Sequence, residues 1–168
     1  MGRRTGWVLA VLCCLASAAV IAVGTVKVHQ LHSTAAARNQ ALVDKSATRQ
    51  VARVVESTMT ELWSYDYRTL EENKAEIAKI GTAAFTKQYA GVFANIEQLA
   101  PQQKAVVVAT VTQVGIQRLH GDRATAIVFL SQRATKANAS TPSTAAARLK
   151  VGMQRVGGSW KVASVDPF

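Results

Sequence analysis

Two tyrosines flank one aspartate at Tyr65-Asp66-Tyr67, and few other residues in this chain have the types that carry chemistry. A carboxylate beside phenols is an acid–base pattern suited to proton transfer. In that reading Asp66 is a general base and Tyr65 or Tyr67 its hydrogen-bond partner. The structural reading is a turn or capping aspartate beside aromatic packing, and a position at a helix boundary favours it. Tyr89 shares a helix face with Phe85 and Phe93. Its hydroxyl either points into a hollow or is the polar tip of a core aromatic, the commoner outcome. His120-Gly121-Asp122 has the elements of a dyad, but a hairpin tip faces solvent. His29 and His32 are close enough to share a metal, yet no third ligand lies nearby. There is no Gly-rich phosphate loop, no His-Glu-x-x-His and no serine-nucleophile motif. No catalytic, cofactor-binding or metal-binding residue is therefore assigned, and no cofactor is expected. The candidates for lining a ligand hollow are Tyr65, Tyr67, Phe85, Tyr89, Phe93 and Trp160.

These residues must be positioned by two kinds of element. Between Gly24 and Gly81 there is neither Gly nor Pro, which permits a long helical entry. Residues 27–45, rich in Ala, Gln and Ser, read as a stalk with too few large apolar residues to pack. From Ser46 the spacing of Val51, Val54, Val55, Met59 and Leu62 predicts an amphipathic helix ending at Trp63. Thr69-Leu70-Glu71-Glu72 has the form of a capping box for a second helix, with Gly81 as its left-handed C-cap. Thr82 caps a third, whose face is Phe85, Tyr89, Val92, Phe93 and Ile96, and Pro101 closes the helical half. The period then changes to two. Strands are expected at 105–117 and 124–133, with a turn at 119–122 between them. An exposed loop of Ala, Ser, Thr, Asn and Pro spans 135–145. Leu149, Val151 and Met153 alternate with Arg148, Lys150 and Gln154, so that strand has one buried and one wet face. Gly157-Gly158 makes a tight hairpin, and Trp160 and Val162 begin the last strand. Three helices followed by a four-stranded antiparallel meander is an α+β arrangement. A curved sheet wrapped over the helices makes a cone with an internal hollow.

Residues 7–26 are one unbroken apolar run, preceded by Arg3 and Arg4 and closed by Lys27. Twenty residues make about 30 Å of helix, the thickness of a bilayer core. The expected organisation is a cytoplasmic tail at 1–6, a transmembrane helix at 7–26, a stalk at 27–45 and an extracytoplasmic domain at 46–168. A secretory signal peptide is the rival reading, since Ala16-Ser17-Ala18 has the form of a cleavage site. The apolar run continues past that site through Val20-Ile21-Ala22-Val23, which favours an uncleaved anchor with its N-terminus inside. Both cysteines, Cys13 and Cys14, fall inside the run. The remainder has no thiol for a disulfide, a nucleophile or a metal site.

The net charge of +10 is unevenly spread. Residues 1–54 carry +6, residues 55–103 carry −3 and residues 104–168 carry +7. Anionic lipid, an acidic protein and nucleic acid could each want such an excess. The bases are scattered singly, without the aromatic interleaving of a single-strand binder, so nucleic acid is not expected.

Several short motifs occur in a familiar order: Tyr65-Asp66-Tyr67-Arg68-Thr69-Leu70, then Gly81, Phe85 and Tyr89, then Lys104-Ala105-Val106 and Phe129-Leu130-Ser131-Gln132. The chain closes on Gly158-Ser159-Trp160-Lys161-Val162 and Asp166-Pro167-Phe168. This order resembles the Mce-associated membrane proteins of actinobacteria, single-span accessory proteins of the mammalian-cell-entry lipid importers. The resemblance covers residues 45–168 and the anchor topology. It implies a fold like nuclear transport factor two, an extracytoplasmic domain and no catalytic residues. It further implies a non-enzymatic scaffold that stabilises or assists a lipid or sterol importer, with importer subunits and the membrane as partners. Three alternatives stand beside it: a lipid-binding module using the hollow, a structural subunit of a secretion machine with the same topology, and a cyclase-like or isomerase-like enzyme relying on Asp66.

Overall fold

The structure, a computed structural model, describes residues 39–168. The tail expected at 1–6, the apolar span at 7–26 and most of the stalk at 27–45 lie outside the described residues, as do His29 and His32. No helix among the described residues is long and apolar enough to cross a membrane. Residues Gln40–Phe168 form one compact unit.

A one-turn helix α1 (Gln40–Val43) leads into α2 (Lys45–Trp63), β1 (Tyr65–Asp66), α3 (Leu70–Ile80) and α4 (Ala83–Gln103). The strands β2 (Val106–His120), β3 (Arg123–Thr135), β4 (Ser143–Val156) and β5 (Ser159–Pro167) follow. The sheet order is β1-β2-β3-β4-β5 with every neighbouring pair antiparallel. The α+β class expected from the sequence is the one observed.

Helix α2 organises the core. Asp44 starts it, its Oδ1 accepting from the backbone N–H of Ser46 and Ala47 at 3.0 and 2.9 Å. One turn after another then buries Val51, Val55, Met59 and Leu62, none more than 2% exposed. The helix touches β2, β3 and β5. Strands lie about 4.8 Å apart, so a flat sheet would set β2 and β5 roughly 14 Å from each other. One helix of about 10 Å diameter reaches both because the sheet curls around it. Register shifts at Val111/Gln113, Ile116/Arg118 and Gly152/Met153 supply the bends. On the inner face β3 contributes Ala124, Ala126, Val128 and Leu130, and β4 contributes Leu149, Val151 and Met153. Arg148 and Lys150, alternating with the latter, are exposed, as the period of two predicts.

Four local expectations are corrected. The sheet has five strands rather than four, because the chain leaving α2 pairs Tyr65 with Val107 and Asp66 with Val106. Ser64 fixes this exit, its Oγ accepting from the Ala109 N–H at 2.9 Å. The capping box at Thr69 does not form: Thr69 makes no side-chain cap bond, and its N–H instead donates to the Asp66 carbonyl at 3.0 Å, closing a turn. Gly81 is extended (φ −91°, ψ 158°) rather than left-handed. It forms a parallel bridge with Val162, and the next N–H, of Thr82, donates to the Val162 carbonyl at 2.8 Å. Pairing with β5 pulls the chain straight. A Cβ on residue 81 would lie 2.8 Å from Thr86 Oγ1 and 2.9 Å from Phe85 Cδ1, so close approach explains the glycine. Finally, Pro101 lies inside α4, which runs on to Gln103 and ends at Lys104 in the left-handed region, φ 45°. The proline lacks the N–H that would donate to the Glu97 carbonyl and its ring crowds that carbonyl, and the helix ends two residues later.

Met59 is fully buried between α2 and the sheet. Met59→Ala is expected to lower unfolding free energy by about 2–5 kcal/mol in chemical denaturation. Glu56→Ala, on the solvent side of the same helix, should change it by less than about 0.5 kcal/mol.

Candidate functional site

The bond from Thr82 to Val162 sets α4 alongside the end of β5, and a cleft opens between them. Its volume is about 180 Å³. The end of α2 supplies Leu62 and Trp63, α4 supplies Phe85, Gln88, Tyr89 and Val92, and the wall opposite is Leu149 with residues 164–167 of β5. The lining residues are mainly apolar, with Gln88, Ser164 and Asp166 the polar ones.

Phe85, Tyr89 and Phe93 form an aromatic column along α4, because residues four apart share a helix face. Phe85 and Tyr89 stack with centroids 5.6 Å apart, and Tyr89 and Phe93 are 6.1 Å apart and tilted. The Tyr89 hydroxyl donates to the Leu62 carbonyl at 3.1 Å. This bond occupies a carbonyl in the last turn of α2, which has no partner within the helix. Burial, aided by nearby Tyr65, pushes the Tyr89 phenol up to about 12. A phenol so placed is a structural donor, not a proton shuttle at neutral pH.

Of the six sequence candidates, Phe85 and Tyr89 line the cleft and Phe93 stands behind Tyr89 in the core. Tyr65 sits on β1, half-buried, its phenol raised by desolvation. Tyr67 follows β1 and carries the Arg68 guanidinium over its ring at 5.8 Å. Trp160 lies on β5 near the hairpin, with the Arg155 guanidinium 5.2 Å from its ring centroid. The β5 wall was not legible in the sequence: Ser164 and Pro167 carry no pattern that ties them to a helix some eighty residues earlier. Gln88 and Val92 had a signal, since each lies three or four residues from Phe85 or Tyr89.

Asp66 is bound on all sides by one neighbour. Its carboxylate accepts from the Arg68 backbone N–H at 2.9 Å, from Arg68 Nε at 2.9 Å and from Arg68 Nη2. The guanidinium and that N–H hold its pKa down to about 2. A carboxylate this acidic is a poor proton acceptor, and its partner is an arginine rather than either tyrosine. His120 ends β2, and Asp122 lies in the turn with its carbonyl accepting from the Arg155 N–H at 2.7 Å. Among the described residues no three of His, Cys, Asp or Glu are placed to hold a metal ion.

No family model matches the chain. Two uncharacterized proteins of Mycobacterium tuberculosis are each 27% identical to it over 125 residues, covering 74% of this chain and 57% of theirs. The chain thus matches little more than half the length of these curated relatives. Solved structures share its fold. An IcmL-like type IV secretion system protein from Legionella pneumophila is 16% identical with a TM-score of 0.61, covering 71% of this chain and 91% of that one. CagV, a VirB8 homolog from Helicobacter pylori, is 15% identical with a TM-score of 0.58, covering 68% and 96%. The periplasmic domain of DotI is 16% identical with a TM-score of 0.57, covering 70% and 92%. At these identities the likeness is one of fold.

Two outcomes follow from the geometry. Asp66 should titrate near pH 2 in a carboxyl-detected NMR titration, and Arg68→Ala should return it to the ordinary carboxylate range. Because the folded pKa is depressed, the stability from this pair is present above the unfolded carboxylate pKa and is lost as pH falls toward 2. Tyr89→Phe should cost about 1 kcal/mol in denaturant unfolding. In an alkaline absorbance titration it should also abolish the phenol that ionises only near pH 12.

Proposed function

We propose that this chain is a non-enzymatic structural subunit of a multiprotein complex in the cell envelope, anchored by residues 7–26 and presenting residues 46–168 outside the cytoplasmic membrane. The observation that carries this reading is the shared architecture. The curled sheet over three helices accounts for 91% of the Legionella secretion protein and 96% of CagV. In such a complex the domain acts by holding neighbours in place. Its candidate acid–base groups fit that role, because Asp66 is tied to Arg68 and Tyr89 to a backbone carbonyl. The tail at 1–6 then faces the cytoplasm, and residues 27–45 space the domain from the bilayer.

A second reading makes the complex a Mce-type lipid or sterol importer. It rests on the order of motifs from Tyr65 to Phe168. A lipid-binding role for the cleft is weaker. Its volume of about 180 Å³ is below the roughly 300–1,000 Å³ of pockets that enclose a small-molecule ligand.

Co-purification of the tagged full-length chain from native membranes in mild detergent, with mass spectrometry of what comes with it, tests both. Secretion-type components are expected under the first reading and importer subunits under the second. Recovery of the chain alone would overturn the subunit role.

A further inference from the structure

The helices cover one face of the sheet and leave the other open. On that outer face the register sets Val108 opposite Arg133, Phe129 opposite Arg148 and Ile127 opposite Lys150. Val108, near the start of β2, is 54% exposed, and Phe129, at the middle of β3, is 38% exposed. Arg118, Arg123 and Lys161 extend the same face toward the hairpin turns, opposite Thr125, His120 and Gln154. The face thus carries six basic residues. Its one carboxylate is Asp166, opposite Lys150. On the helical side the charges are paired, at Arg68–Asp66, Lys74–Glu97 and Lys79–Glu76.

A sheet face that only meets water needs no apolar strip, and it mixes charge signs, because like charges side by side repel. Exposed apolar residues set among arginines on an open sheet face are instead the composition of a protein interface. We infer that the outer face of β2–β5 docks an acidic protein segment. Its carboxylates lie against Arg133, Arg148 and Lys150, and its apolar side chains cover Val108, Ile127 and Phe129. The inference deepens the subunit reading, on which it rests for the existence of a protein partner, and names the face and the chemistry of that partner. Four of the six bases are arginines, whose planar fork matches a carboxylate with two parallel bonds. The sheet curls away from this side, so a flat bilayer would meet it along a ridge while a protein segment can follow it. A second copy is a poor match, because the carboxylates of α3 are interleaved with Lys74 and Lys79, with Glu76 paired to Lys79 and Lys74 paired to Glu97 of α4.

The test uses the full-length chain in a neutral detergent. The probe is a labelled peptide of alternating Glu and Leu, with its Lys–Leu counterpart as control. Hydroxyl-radical footprinting reads the Phe129 side chain, and fluorescence anisotropy reads affinity. The Glu–Leu peptide is expected to bind and protect Phe129, and the Lys–Leu peptide to do neither. The variant Arg133→Glu/Arg148→Glu/Lys150→Glu should weaken binding by about ten-fold or more without lowering the melting temperature. The milder Arg133→Gln/Arg148→Gln/Lys150→Gln serves if charge reversal disturbs folding. Raising the salt concentration should weaken binding as well. Any of four results overturns the inference: no binding of the Glu–Leu peptide, binding unchanged in both triple variants, protection of Phe129 by phosphatidylglycerol-doped micelles but not by the peptide, or protection by self-association. Failure of the subunit reading would show differently, as recovery of the chain alone from native membranes with peptide binding intact.

Discussion

The grip of a curled sheet on helix α2 is the contact on which the other features depend. Val51, Val55, Met59 and Leu62 reach the inner face of β2, β3 and β5 at once, which no flat sheet allows. The apolar surface buried there is the main favourable term in folding a domain of this size. It also fixes geometry. With α2 seated, Ser64 falls beside Ala109, and the chain is forced into the short strand β1. The start of α3 and the position of Asp66 follow from that exit.

A second tie completes the helical layer. The bridge between Gly81 and Val162 and the hydrogen bond from Thr82 hold the α3–α4 junction to the middle of β5. Helix α4 then runs beside the end of the sheet, and its aromatic column is locked to α2 through Tyr89 and the Leu62 carbonyl. The small cleft between α4 and β5 is a by-product of this arrangement. Buried Phe85, Leu62 and Leu149 are among the residues that line it.

The same packing separates the charges. Most carboxylates of the described residues sit on the helices, while strands β2–β5 carry seven basic residues against one carboxylate, Asp166. Alternation along the strands sends most of these bases to the outer face and keeps the inner face apolar. The surface therefore has two characters: helices with both signs interleaved and paired, and a mostly basic sheet with exposed Val108 and Phe129.

Much of this was legible in the residues. The stripe of α2, the Thr82 cap, the alternation around Leu149, Val151 and Met153, and the Gly157-Gly158 turn are local patterns, and local patterns are set by periods of 3.6 and 2 that neighbouring residues report directly. The excess of bases after Lys104 was likewise visible as composition. What the sequence alone left open depended on residues far apart meeting. Gly81 looked like a left-handed cap until Val162 was found beside it. Tyr65 and Asp66 carried no sign of a fifth strand until Val107 and Val106 paired with them, whereas the Asp66 turn and its tie to Arg68, two residues on, are local. The scattered bases formed a single face only when strand pairing put Arg133 of β3 and Arg148 and Lys150 of β4 on the same side of the sheet. The sequence determined the elements and the sign of each surface residue, because these depend on neighbours along the chain. Tertiary structure decided the fifth strand, the cleft and the gathering of charge, because register and packing relate residues that sequence distance does not connect.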